Sequence, residues 1–231
     1  MWAVLAMVCG FLFGLCVILV DPGYADIMVG PFPHLLENPS DRVAELEQQQ
    51  RAGGDTAGDV GRHISFSTQL AYNNIRVVVL AFALGLTLGV MTIVVLFFNS
   101  VILGCAAALY LADGQLVFLA AWLGPHGALE LPCIAFGGTA GLMLARAQLR
   151  RDHGSTLSQI RQMRPQLVNI VVGTATLLLA AGLIEGGFSQ IHEPTLPYFF
   201  KIMVAVGLFA ALTGYLFWMP VRPRSPRDTE A

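Results

Sequence analysis

Apolar residues come in long runs along this chain, and polar residues gather between them. The first run, Trp2 to Val20, ends at Asp21-Pro22-Gly23, where Pro22 cannot continue a helical ladder and Asp21 is costly in lipid. A polar region follows, to about Asn73. In it Pro31-Phe32-Pro33-His34 reads as extended, Ser40-Asp41 as the cap of a short helix over Arg42 to Arg51, and Gly53-Gly54-Asp55 with Gly58 as a flexible break. From His63 the spacing of Ile64, Phe66 and Leu70 predicts a helix running into a membrane.

The run Arg76 to Phe98 predicts a second span. It contains Gly85-Leu86-Thr87-Leu88-Gly89, a small-xxx-small motif that lets helix backbones approach closely, and Asn99-Ser100 closes it. Val101 to Ala112 and Gln115 to Leu123 are each too short to cross, and Gly124-Pro125-His126-Gly127 follows. The stretch from 114 to 127 therefore reads as a broken or re-entrant helix. Ala128 to Leu144, with Gly137, Gly138 and Gly141, predicts a fourth span, Gln166 to Phe188 a fifth, and Tyr198 to Met219 a sixth. Tyr198, Tyr215 and Trp218 suit the interfacial level of that last span, and Val221 to Ala231 reads as a disordered tail.

The expected fold is thus an all-α polytopic transmembrane bundle of about six spans with one broken or re-entrant segment. Residues 1–20 form a first transmembrane helix, 21–73 an extracytoplasmic polar region with short helices, 74–219 a core membrane domain, and 220–231 a cytoplasmic tail. Gly85, Gly89, Gly137 and Gly141 are the expected helix-packing positions.

Composition agrees. The chain is 55% hydrophobic and 12% charged, with a mean hydropathy of +0.66. A soluble domain carries about a quarter charged residues, so a soluble enzyme is a poor description. No basic face with interleaved aromatics appears, so the bilayer is the expected partner and nucleic acid is not. Cys9, Cys16, Cys105 and Cys133 sit in apolar runs as small buried hydrophobes. No Lys or Arg precedes the first run, so it reads as a retained helix and not as a signal peptide.

Charge sets the expected orientation. Arg146, Arg150, Arg151, Arg161 and Arg164 share one loop with Asp152, and Arg222, Arg224 and Arg227 lie in the tail. The region from Asp21 to Asn73 has eight acids against three arginines. By the positive-inside rule both termini face the cytoplasm of an inner-membrane protein.

Ionisable groups inside spans cost on the order of 2.5–3.5 kcal/mol each, so each needs a partner. His126, Glu130 and Glu185 are such groups, and Asn74 belongs at the same level. A hydrogen-bonded polar cluster is the favoured reading, with no metal, cofactor or catalytic assignment. His126 and Glu130 share a helical face only if no helix start intervenes, and Pro132 suits a first turn. Arg76 is placed to snorkel, whereas His34, His63, His153 and His192 read as loop residues and Ser155 to Ser158 as a cap or turn.

The residues Asn73-Asn74-Ile75-Arg76-Val77, Phe82, Gly85, Gly89, Asn99 and Gly104 resemble the stage II sporulation protein M family. So do Pro125-His126-Gly127-Ala128-Leu129-Glu130-Leu131-Pro132 and Ala180-Ala181-Gly182-Leu183-Ile184-Glu185. The likeness spans about residues 60 to 215. It departs at Asn99-Ser100, where the family's pair is asparagine-glycine, and the family's cytoplasmic helical segment ahead of the first span is not among these residues. The resemblance implies a non-enzymatic scaffold or component of a cell-envelope complex, associating with other envelope proteins or with itself. In endospore formers such a protein works with peptidoglycan-degrading partners during engulfment. A transporter or permease, or less favourably an intramembrane metal-dependent hydrolase built on His126, Glu130 and Glu185, is the alternative.

Overall fold

The computed structural model describes residues 1–30, 36–52, 57–150 and 155–218, the side chains of 57–67, 69 and 70 excepted. Pro31 to His34, Gly53 to Asp55, His153 and the tail lie outside the described residues, as do the side chains of His63, Ile64, Phe66 and Leu70. Eight α-helices are described: α1 (Trp2–Val20), α2 (Ala25–Val29), α3 (Pro39–Arg51), α4 (Ala57–Ala83), α5 (Val90–Ala112), α6 (Leu116–Leu149), α7 (Thr156–Gly186) and α8 (Tyr198–Trp218). Five of them, α1, α5, α6, α7 and α8, are long and apolar enough to cross a bilayer, and Ala71–Leu86 forms a shorter apolar segment. The fold is an all-α membrane bundle.

Small residues set the helix directions. A Cβ built on Gly10 would stand 2.2 Å from the carbonyl oxygen of Phe97, and one on Gly14 2.2 Å from that of Val101. The α1 and α5 backbones therefore touch and run parallel, with no room for a side chain between them. Helix α4 runs parallel to α6, with Val78 over Gly137 and Ala81 over Gly141. Helix α7 lies antiparallel on α6, where Leu167 packs with Ala140 and Leu144 and the Cys133 thiol approaches the Thr174 carbonyl. Helix α8 joins the bundle through α6, where Gly124 faces Ala205. Within their most apolar stretches, α6 is 56% buried, α7 17% and α8 6%. Of these three helices α6 is the most enclosed.

Three expectations are corrected. Arg76 to Phe98 is not one span, because the chain reverses at Leu84–Gly89. A 3-10 turn covers Leu84–Leu86, and Leu88 and Gly89 take positive φ of 56° and 80° before α5 begins. Polar side chains satisfy the irregular backbone. Thr87 Oγ1 donates to the Leu84 carbonyl at 2.6 Å, Gln148 Nε2 to that of Gly85 at 2.9 Å, and Thr92 Oγ1 to that of Ala81 at 2.9 Å. Conversely, the chain turns at Asp113–Gln115 and is then unbroken: α6 continues from Leu116 through Pro125 and Pro132. Each proline removes one donor, and the packing around α6 holds the helix together across it. The run Val101 to Ala112 is the second half of α5. Losing one break and gaining one reversal leaves six helical passes.

The arginine-rich segment is mostly helical as well. Arg146 lies in the last turn of α6, and Arg161 and Arg164 on α7. Asn38, not Ser40-Asp41, caps α3, its Oδ1 accepting from the Ser40 and Asp41 amides at 2.9 and 3.3 Å. Helix α4 passes residue 73 without interruption, so the polar region feeds directly into the bundle. Cys105 and Cys133 are buried, but Cys9 and Cys16 face outward from α1. Tyr198 is buried as well, so of the three interfacial candidates on α8 only Tyr215 and Trp218 are exposed.

Helices α2 and α3 form a cap over one end of the bundle. Val29 and Val43 pack into a core with Ile18, Tyr110, Phe118 and Trp122, and Arg42 lies 4.8 Å over the Trp122 ring. The Asp113 carboxylate accepts from both the amide and the hydroxyl of Ser40. Tyr198 donates to Glu47 at 2.8 Å, and the His192 amide to Gln50 at 3.2 Å.

Candidate functional site

Asn74, His126, Glu130 and Glu185 are buried, together with Ser189 and Lys201. Because α6 is one helix through Pro132, His126 and Glu130 are four apart on one face, roughly 20 Å along it from Leu116. That places them inside the bundle, beneath the cap and away from the end of α6.

Asn74 of α4 donates from Nδ2 to Glu130 Oε2 at 2.6 Å, and the other Glu130 oxygen has no partner among the described residues. Glu185 ends α7 with a fully buried carboxyl that no described residue hydrogen-bonds, close enough to Glu130 for electrostatic interaction. The His126 Nδ1 lies 3.0 Å from Ser189 Oγ, and Trp122 meets the imidazole edge-on. Lys201, also fully buried, donates to the carbonyls of Ser189 at 2.8 Å and Ile191 at 3.0 Å. Four elements thus meet at one level: α4 through Asn74, α6 through His126 and Glu130, α7 through Glu185, and the start of α8 through Lys201.

Ser189 and Lys201 were not singled out by sequence reasoning. The signal for Lys201 was available, since it is the only lysine in the chain and sits four residues into an apolar run. Ser189 carries no such signal, being a loop serine until the fold brings it under His126.

The Ser189–His126 contact is the hydrogen bond of a nucleophile with its base, but a working pair also needs a third group to orient the base. His126 Nε2 has no hydrogen-bond partner among the described residues. Nor, among those residues, is any group of three or more His, Cys, Asp or Glu placed to hold a metal ion. What the arrangement does carry out is joining: Asn74 ties α4 to α6, and Ser189 with Lys201 ties the α7–α8 connection to both α6 and α8.

This gives a stability prediction. Lys201→Met should lower the stability of the detergent-solubilised protein by about 2–3 kcal/mol, because two carbonyls lose a charged donor with no replacement. Thermal unfolding followed by size exclusion checks it. A melting temperature unchanged from the parent would show that the ammonium contributes nothing to the fold.

The family model for stage II sporulation protein M matches residues 2–190. The chain belongs to that family. Together with its five spanning-length helices, this makes the family member a multi-pass membrane protein. The match takes in Asn74, His126, Glu130, Glu185 and Ser189, while α8 with Lys201 lies beyond it. No curated protein and no solved structure matches the chain.

Proposed function

We propose that this stage II sporulation protein M family member is a non-enzymatic scaffold, one component of an envelope complex in the inner membrane. Both termini would lie in the cytoplasm and the α2–α3 cap outside. The cap carries this reading. It is fixed to the bundle by Ser40–Asp113, Glu47–Tyr198 and Gln50–His192, which presents the outer side of α3 rigidly to the extracytoplasmic space. The buried polar groups support it as well, because their hydrogen bonds join helices.

A photo-crosslinking residue at Glu45, exposed on α3, tests the scaffold. In cells it should give a discrete adduct with one envelope protein or with a second copy of this chain. Absence of any protein adduct there, with solute flux through the purified protein in liposomes, would replace the scaffold with a transporter.

Orientation has its own test. With Cys9 and Cys16 changed to alanine, an impermeant maleimide applied to intact cells should label Glu45→Cys and spare Leu157→Cys. The opposite labelling would invert the topology.

A further inference from the structure

We infer that the seam between α6 and α7 is a binding site for an anionic phospholipid, with its headgroup at Arg146 and Arg150 and an acyl chain along the adjoining groove. Two cavities carry this. The first, of about 470 Å³, lies where α6 ends and α7 begins and is lined by Arg146, Arg150, Gln162 and Gln166 together with Met143 and Met163. Gln159, also in its wall, donates to the Arg150 carbonyl and holds the end of α6 against α7. The second cavity, of about 650 Å³, is an apolar groove between α4, α6 and α7, bounded by Val79, Phe82, Ile170, Leu179, Gly182 and Leu183.

The two are ends of one seam. Ala140 and Ile170 line the groove, Met143 and Met163 line the cationic pocket, and all four belong to one cluster centred on Leu144 and Leu167. From Ile170 to Leu183 the groove extends roughly 20 Å along α7, enough for the acyl chain of one leaflet in a hydrocarbon core of about 30 Å.

Charge selects the occupant. From Gly137 to Gly182 the sequence holds one acid, Asp152, against five arginines. Among the described residues no carboxylate pairs with Arg146 or Arg150. Guanidinium groups and side-chain amides are donors suited to phosphate oxygens. A partner helix would fill the groove without answering the charge at its mouth, whereas a lipid answers both, and basic pockets between membrane helices recognise such headgroups.

Native mass spectrometry of the intact protein in detergent, titrated with phosphatidylglycerol and with phosphatidylcholine, tests the site. The parent should retain a single phosphatidylglycerol selectively. The double variant Arg146→Gln/Arg150→Gln should bind it roughly twenty-five-fold more weakly, from about fivefold per arginine. Arg161→Gln/Arg164→Gln, equal in charge and outside the pocket lining, should bind as the parent does. Gly182→Phe, at a position whose added Cβ meets nothing within 4 Å, should block the groove and weaken binding with the arginines intact. Should a variant fail to fold, a photoactivatable acyl analogue of phosphatidylglycerol on the parent should label peptides within 71–82 or 137–183, the segments that line the groove. Equal binding of both lipids, indifference to both the arginine pair and Gly182→Phe, or labelling confined to other helices would overturn the site. Displacement of the lipid by millimolar inorganic phosphate would overturn it too, by showing a free-phosphate pocket.

Discussion

Gly141→Leu should leave no folded protein to recover from detergent. A Cβ at Gly141 would stand 2.2 Å from the Ala81 carbonyl oxygen and 3.0 Å from Thr92 Oγ1, and one at Gly85 would stand 2.1 Å from the Gly141 carbonyl oxygen. Backbone meets backbone there, so no rotamer change can relieve the clash, and α4 would have to separate from α6. Separation would also break the Gln148–Gly85 bond that satisfies the reversal. Overpacking a well-packed core usually costs 1–3 kcal/mol, and an immovable backbone neighbour puts this case above that range. Gly173→Leu and Gly207→Leu are the controls, since an added Cβ at either meets nothing within 4 Å. Both should give monodisperse protein near the parent's yield. A Gly141→Leu protein melting with the parent would mean that α4 and α6 do not touch as described.

The same contact explains what could and could not be read beforehand. Gly85 and Gly141 are packing residues, as the small-xxx-small spacing suggests, but Gly85 acts from a turn instead of a helix face. In a soluble protein a chain reversal announces itself through polar residues. Leu84 to Gly89 contains only Thr87 besides leucine and glycine, because it is satisfied by Gln148 and its own threonine. An apolar run with an apolar turn is indistinguishable from a single span. The opposite error arose on α6. Gly124, Pro125, Gly127 and Pro132 break an isolated helix, but here α4, α5, α7 and α8 enclose it, and tertiary packing overrides local preference.

The candidate site divides in the same way. Glu130, His126 and Glu185 were legible because charge inside an apolar run is expensive wherever it lands. That Asn74 belongs at their level was legible too, but not which carboxylate it meets, 56 residues away, nor that Ser189 meets His126, 63 residues away. Those contacts exist only once the reversal sends α4 alongside α6 and α7 returns antiparallel. The cap escaped for a related reason. Nothing local to Ser40 points to Asp113, and both read as ordinary polar termini until α5 and α3 meet.

Asn74→Leu should destabilise the protein by about 3 kcal/mol, and adding Glu130→Leu should return much of that loss. With Asn74 replaced, Glu130 keeps its burial and loses the one hydrogen bond its carboxyl has among the described residues. An uncompensated buried polar group costs about 1–3 kcal/mol, and more when charged. The double leucine variant removes both polar partners and leaves apolar surface in apolar surroundings, an exchange that is often neutral or stabilising. A double-mutant cycle from thermal unfolding should therefore give a coupling of about 1–3 kcal/mol. Additive effects would show that the 2.6 Å contact carries no energy. The cycle also separates the scaffold reading from its rivals when the variants are tested in the organism. A cluster that only joins helices predicts that the double variant, once stable, supports the protein's cellular role, and that Glu185→Leu does so as well, because no described residue hydrogen-bonds its carboxyl. A double variant that is folded, abundant and inactive would show that Glu130 acts on something that enters the bundle, and the scaffold would have to be abandoned for a transporter or an enzyme.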